Sequence, residues 1–93
     1  MREKVIERKL KEAVCQSGGL ALKFVSPGLD GVPDRLLLFH RGRMAFCEVK
    51  APGKKPRPLQ ERRIAQLRAL GFRVYVVDDV NEIGGIVDEI CSS

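Results

Sequence analysis

Residues 31–50 read GVPDRLLLFHRGRMAFCEVK, and the reading of this stretch decides the fold. Two β-prone runs, Arg35 to His40 and Arg43 to Lys50, flank Arg41-Gly42, the composition of a hairpin with a tight two-residue turn. In the second run Met44 and Phe46 fall on one face, and Ala45, Cys47 and Val49 on the other. Apolar residues on both faces mark a strand covered on both sides. Glu48 and Lys50 continue the row of Met44 and Phe46, because strand side chains two apart share a face. The end of a covered strand is a strange place for two charges. With a two-residue turn His40 opposes Arg43, and position 35 opposes position 48. Asp34, where the Gly31-Val32-Pro33 turn enters the first strand, then falls beside Glu48 and Val49.

Working outward, residues 2 to 17 carry Ile6, Leu10, Ala13 and Val14 at helical spacing, with Gly18-Gly19 ending the helix. Leu20 to Val25 suits a short strand, and Ser26-Pro27-Gly28 followed by Gly31-Val32-Pro33 an irregular loop. Downstream, Ala51 to Arg57 (APGKKPR) is a basic loop. Pro58 suits the first position of a helix that should run to Gly71. Phe72 to Val77 reads as a strand. Asp79 and Glu82 resemble a capping box before a last helix that buries Ile83, Ile86, Val87 and Ile90. The order is α-β-β-β-α-β-α. A hairpin followed by a strand–helix–strand crossover predicts an α/β (α+β) fold, a mixed central sheet flanked by helices on both faces.

The 93 residues allow a single domain, residues 1–93, small enough that oligomerisation would help stability. A hydrophobic share of 44% and a charged share of 31% describe an ordinary globular domain rather than a disordered tail. No apolar run is long enough for a membrane span, and the basic start leads into an amphipathic pattern rather than a signal core. Cys15, Cys47 and Cys91 are odd in number and lack CxxC spacing, which fits reduced thiols in a cytoplasmic protein. His40 is the only histidine, too few soft ligands for zinc. Lys and Arg number 17 against 12 acidic residues, a net charge of +5, and this balance favours polyanionic partners. With no Trp, four Phe and one Tyr, no stacking platform for single strands is evident.

Two carboxylates and a lysine thus converge at one end of the sheet. Hard divalent cations take oxygen ligands and usually keep several waters, so two carboxylates and a backbone carbonyl suffice to hold one. Lys50 would stabilise charge developing on a phosphate or orient a water. The simpler account of each residue stands beside this one: Glu48 and Lys50 as a surface ion pair, Asp34 as a turn residue. Gln60 shares a helical stripe with Ile64 and Leu67 in the first turn of its helix, either near the strand ends or exposed. Glu7 borders the stripe of Leu10 and Val14, with Glu3 one turn earlier. It supports either the site or a surface bridge to Lys11. Lys54, Lys55 and Arg57 follow Lys50 directly and would either hold phosphates or be solvated. Arg62, Arg63 and Arg68 could extend that patch.

Gly31-Val32-Pro33-Asp34, then Glu48-Val49-Lys50, then Pro58-Leu59-Gln60 resemble the motifs of the VRR-NUC (virus-type replication-repair nuclease) domain, within the PD-(D/E)XK nuclease superfamily. Ile6-Glu7, Gly19 to Pro27 and Gly71 to Val77 also look family-like, so the resemblance covers nearly the whole chain. It implies a restriction-endonuclease-like core. It also implies that Asp34, Glu48 and the Val49 carbonyl bind Mg2+ or Mn2+, that Lys50 is catalytic, and that Gln60 and Glu7 complete the site. The expected activity is structure-selective cleavage of Holliday-junction or other branched DNA, in a bacterial or phage-infected cell. Cutting two symmetric strands needs two sites, which a two-fold homodimer supplies. The other expectation is a non-catalytic nucleic-acid-binding module on the same fold. The carboxylates argue against it, since they repel phosphate and binding alone does not need them.

Overall fold

The long apolar run of residues 44–49 becomes the middle of the molecule. In the computed structural model, which describes residues 2–92, the elements are α1 (Glu3–Gln16), β1 (Leu20–Lys23), β2 (Arg35–Leu38), β3 (Met44–Val49), α2 (Pro58–Ala69), β4 (Val74–Val77) and α3 (Ile83–Cys91). The sheet order is β1-β2-β3-β4. β1, β2 and β3 pair antiparallel, and β4 joins β3 in parallel through the α2 crossover. This is the expected mixed sheet in the expected element order. No helix among the described residues is long and apolar enough to cross a membrane.

One face of the sheet carries Leu37, Ala45, Cys47, Val49 and Val77, all essentially inaccessible to solvent. They form one core with Ile6, Leu10 and Val14 of α1 and Ile83, Ile86, Val87 and Ile90 of α3, the residues whose spacing predicted those helices. On the other face α2 packs over β4, burying Ile64 against the region of Val74. The sheet is therefore covered on both sides where β3 and β4 meet, as the double-sided pattern of β3 requires.

The hairpin differs from expectation by one residue. Arg35 opposes Cys47 and Leu38 opposes Met44, while the Phe39 N–H donates to the Arg43 carbonyl at 2.8 Å. The turn therefore holds three residues, His40 to Gly42, rather than the two of Arg41-Gly42. Arg41 (φ 65°) and Gly42 (φ 71°) are both left-handed, and the extra residue shifts the register from 35/48 to 35/47. On that register Asp34 stands opposite Glu48 itself.

The helix ends also sharpen. α2 starts at Pro58 as expected but stops at Ala69, and Gly71 takes the left-handed conformation (φ 96°) just beyond. The Asp79–Glu82 capping box is not formed. Asp79 accepts from the Asn81 N–H at 2.9 Å, which opens a 3-10 turn over Val80–Glu82, and α3 begins only at Ile83.

Candidate active site

Asp34 reaches its place through three residues that leave the chain little choice. Gly31 has φ 84°, and a Cβ there would lie 2.8 Å from Leu59 Cγ, so glycine alone fits this left-handed position against α2. Pro33 is fully buried and has no N–H to satisfy. Arg63 of α2 closes the loop from outside, its Nε donating to the Asp30 carbonyl at 2.8 Å. The chain then enters β2 with Asp34 in register with Glu48.

The two carboxylates are tied to each other's strands. The Asp34 N–H donates to Glu48 Oε1 at 3.2 Å, and the Val49 N–H donates to Asp34 Oδ1 at 3.2 Å. Glu48 is only 4% exposed, and its Oε2 is met from two directions. Lys50 Nζ lies 3.2 Å from it, two residues along the same strand face, and Gln60 Nε2 donates to it at 3.1 Å. Gln60 Oε1 accepts from the Arg57 N–H at 2.9 Å. Gln60 therefore does two jobs: its oxygen caps the start of α2, and its nitrogen orients Glu48.

Burial pushes the Asp34 carboxyl up to about 6, and the nearby Glu48 charge adds to the rise. Two acids so close resist carrying both negative charges without a cation. The same burial, reinforced by Asp34 and Glu48, pushes the Cys47 thiol behind them to about 12, which leaves it an inert core side chain.

The structure brings Asp34, Glu48, Lys50, Gln60 and the Val49 backbone together. Glu7 lies elsewhere in the contact network: its carboxylate is ion-paired with the Arg35 guanidinium, not with Lys11. Of Glu3 and Glu7, Glu3 is the one whose charge bears on Asp34. Lys54 and Lys55 are exposed on the loop after β3 and border a cavity of about 480 Å3 with Arg68, Glu61 and Asp78, over Ile64, Ala65 and Val76. Val76 pairs with Glu48 in the sheet, so this mixed-charge cavity lies one strand away from the site carboxylates. Arg57 is also exposed. Two of the arginines expected to extend the patch have structural partners: Arg63 holds the loop described above, and Arg68 donates to the Val74 carbonyl at 2.7 Å. The Glu7–Arg35 and Arg63–Asp30 contacts had no local sequence signal, since each joins residues far apart in the chain.

The sequence profile of the VRR-NUC domain matches residues 3–80, a span that holds every side chain of this site. Over 78 residues, 84% of each chain, the protein is 53% identical to "Putative nuclease p44" of Acyrthosiphon pisum secondary endosymbiont phage 1. A solved structure described as "VRR_NUC domain" superposes with a TM-score of 0.87 at 30% identity, covering 95% of this chain and 97% of that one.

Proposed function

Because this chain belongs to the VRR-NUC domain family, a family of nuclease domains, we propose that it is an Mg2+- or Mn2+-dependent endonuclease hydrolysing phosphodiesters of branched DNA. Holliday junctions are the favoured substrate, and the working form is a homodimer within a bacterial or phage-infected cell. The observation that carries this reading is the face-to-face placement of Asp34 and Glu48, with Glu48 Oε1 on the Asp34 N–H and Lys50 Nζ on Glu48 Oε2.

The donors fit a hard divalent cation. Both side chains offer carboxylate oxygen, and Asp34, raised to about 6 by burial first and by the Glu48 charge second, would be favoured in its charged form by a bound cation. Among the described residues no three His, Cys, Asp or Glu side chains converge. The third protein ligand would therefore be the Val49 carbonyl, between Glu48 and Lys50. When bound, the cation neutralises phosphate charge and lowers the pKa of a coordinated water. The chain's own residues do the rest. Asp34 and Glu48 fix the cation's position, and Gln60 holds Glu48 in one rotamer. Lys50 supplies a positive charge to the phosphate as negative charge develops. Lys54, Lys55 and Arg57 hold the flanking backbone.

The branched substrate is proposed from the likeness of this small basic chain to stand-alone members of the family, and the dimer from symmetry: one chain holds one site, and two symmetric strands need two. The test is cleavage of a labelled four-way junction and a matched linear duplex in Mg2+, Mn2+ and EDTA, with Asp34→Ala and Lys50→Ala alongside. Metal-dependent cutting of the junction, lost in both folded variants, is the expected result. Equal cutting of junction and duplex would remove the junction preference. Junction binding without cutting in either metal would favour a non-catalytic binding module.

A further inference from the structure

The two faces of the sheet carry different charge patterns beside the site. On the α2 face, Lys54, Lys55 and Arg68 share their cavity with Glu61 and Asp78. On the α1 face, Lys4, Arg8 and Lys11 line a second cavity, of about 340 Å3, with Arg35 and a single carboxylate, Glu7. Lys4, Arg8 and Lys11 recur at helical spacing on the side of α1 away from the buried stripe of Ile6, Leu10 and Val14. Arg35 joins them from the sheet. It opposes the buried Cys47 in register, so its side chain leaves on the face that α1 covers. Lys23 stands opposite Arg35 on β1 and extends the row of cations along the strand ends.

Ion pairing leaves these cations largely uncompensated. Glu7 is taken by Arg35, and Arg8 meets Glu12 only at 3.9 Å, with both side chains more than half exposed. Among the described residues Lys4, Lys11 and Lys23 enter no ion pair, and all three are exposed. Lys4 and Arg8 are like charges one helical turn apart, a spacing that weakens a helix unless an anion lies across it.

We propose that this α1 surface holds the phosphate backbone of a second arm of the branched substrate. Charge selects the occupant: every residue lining the cavity is charged, whereas the centre of a protein interface is depleted of charge. A row of unpaired cations is the footprint of a phosphate backbone. The surface also starts beside the site, because Arg35 follows Asp34 in the chain and Lys4 follows Glu3, whose charge bears on Asp34. From Lys4 to Lys11 it runs about 10 Å along the helix, the length of about three phosphates of one strand. α1 and α2 pack on opposite faces of the sheet. A single straight duplex lying along Lys54 and Lys55 therefore leaves Lys4 and Lys11 uncovered, while arms diverging from a branch point occupy both.

This assignment rests on the proposed action on branched DNA, and binding measured in EDTA separates the two, since it reads the surface without cutting. The variant carries Lys4→Ala and Lys11→Ala, exposed helix positions where alanine is well tolerated. Its affinity for a four-way junction is expected to fall about tenfold or more, and the slope of log affinity against log salt by about 2. Affinity for a matched linear duplex should stay within about twofold, because that substrate has no second arm. Lys9→Ala, about 140° round the same helix and beside Val80 and Ile83, should change neither. A double variant that binds the junction as wild type does would overturn the surface. Equal losses on junction and duplex, or an equal loss per charge in Lys9→Ala, would overturn the second arm. The expected junction-selective loss in a protein that cuts neither substrate in Mg2+ or Mn2+ would keep this surface and overturn the nuclease reading alone.

Discussion

Asp34 and Glu48 stand opposite each other on neighbouring strands, and each carboxylate accepts a backbone N–H from the other's strand: Glu48 from Asp34 itself, Asp34 from Val49, both at 3.2 Å. The site is thus part of the sheet's hydrogen-bonding pattern rather than an appendage on a loop, so its geometry is as firm as the hairpin that carries it. Four expectations follow from this arrangement.

The Asp34 carboxyl has an ordinary value of 3.8 and stands at about 6 in the folded protein. A raised carboxyl pKa means that the folded form holds the proton more tightly. Its contribution to stability is complete below about pH 4 and is lost as pH rises through about 6. Metal-free wild type should therefore lose stability relative to Asp34→Asn across that window, as followed by urea unfolding. Cation affinity should run the other way, rising about tenfold per pH unit below 6 and levelling off above it, because one proton must leave. Calorimetry with Mn2+ at about pH 5 and pH 7.5 would read this. Equal affinities would remove Asp34 from the ligand set.

Gln60 joins helix capping to carboxylate orientation, and two substitutions separate the roles. Gln60→Ala loses the acceptor for the Arg57 N–H and should cost about 1 kcal/mol, a fall of roughly 4–8 °C in Tm for a domain of this size. It also frees Glu48, and cutting should drop about tenfold or more. Gln60→Glu keeps the acceptor but brings a like charge to Glu48. Melting should recover in part, the more so as pH falls and the like charge is neutralised, while activity stays low. Recovery of both together would show that Gln60 acts only as a cap.

Lys54 and Lys55 are exposed on the loop that follows Lys50. Changing both to Ala should weaken junction binding and reduce the slope of log affinity against log salt by about 2, close to one counterion per lost phosphate contact. Fluorescence anisotropy across a salt series measures it. An unchanged slope would remove this loop from the DNA-binding surface.

Gly31→Ala sets a side chain against Leu59 and forces a left-handed backbone on a residue that resists it. A cost of roughly 1–3 kcal/mol is expected, with loss of cutting, because the same turn delivers Asp34. Adding Leu59→Ala relieves the contact but not the backbone strain, so the double variant should recover only part of the stability. Full recovery in thermal melts would show that crowding by Leu59, not the dihedral, dictates glycine.

Much of this molecule was legible in the residues. Helical spacing located α1 and α3, β-prone runs located the strands, and Pro58 and Gly71 bracketed α2, because these are local signals that need no second segment. The apolar run of β3 announced a doubly covered strand, and the charges of Glu48 and Lys50 at its end drew attention to the site. Their shared face needed only the pleat of a strand. The sequence also set the outer limits of Gly31-Val32-Pro33-Asp34, where glycine and proline leave few backbone choices.

Tertiary structure decided whatever depends on a second segment. The hairpin register turned on two adjacent left-handed residues, Arg41 and Gly42, and composition does not count how many residues a turn will spend. Glu7 had Lys11 within reach on its own helix yet pairs with Arg35 across 28 positions, and the pattern of α1 alone gave no reason to prefer it. Gln60 became a cap and an orienting group at once only because the crossover lays the start of α2 over the end of β3. The raised pKa of Asp34, about 6, likewise belongs to the fold, since burial and a facing carboxylate are properties of the packed sheet. Spacing along one segment is written in the chain, whereas contacts between segments are fixed by how the whole core closes.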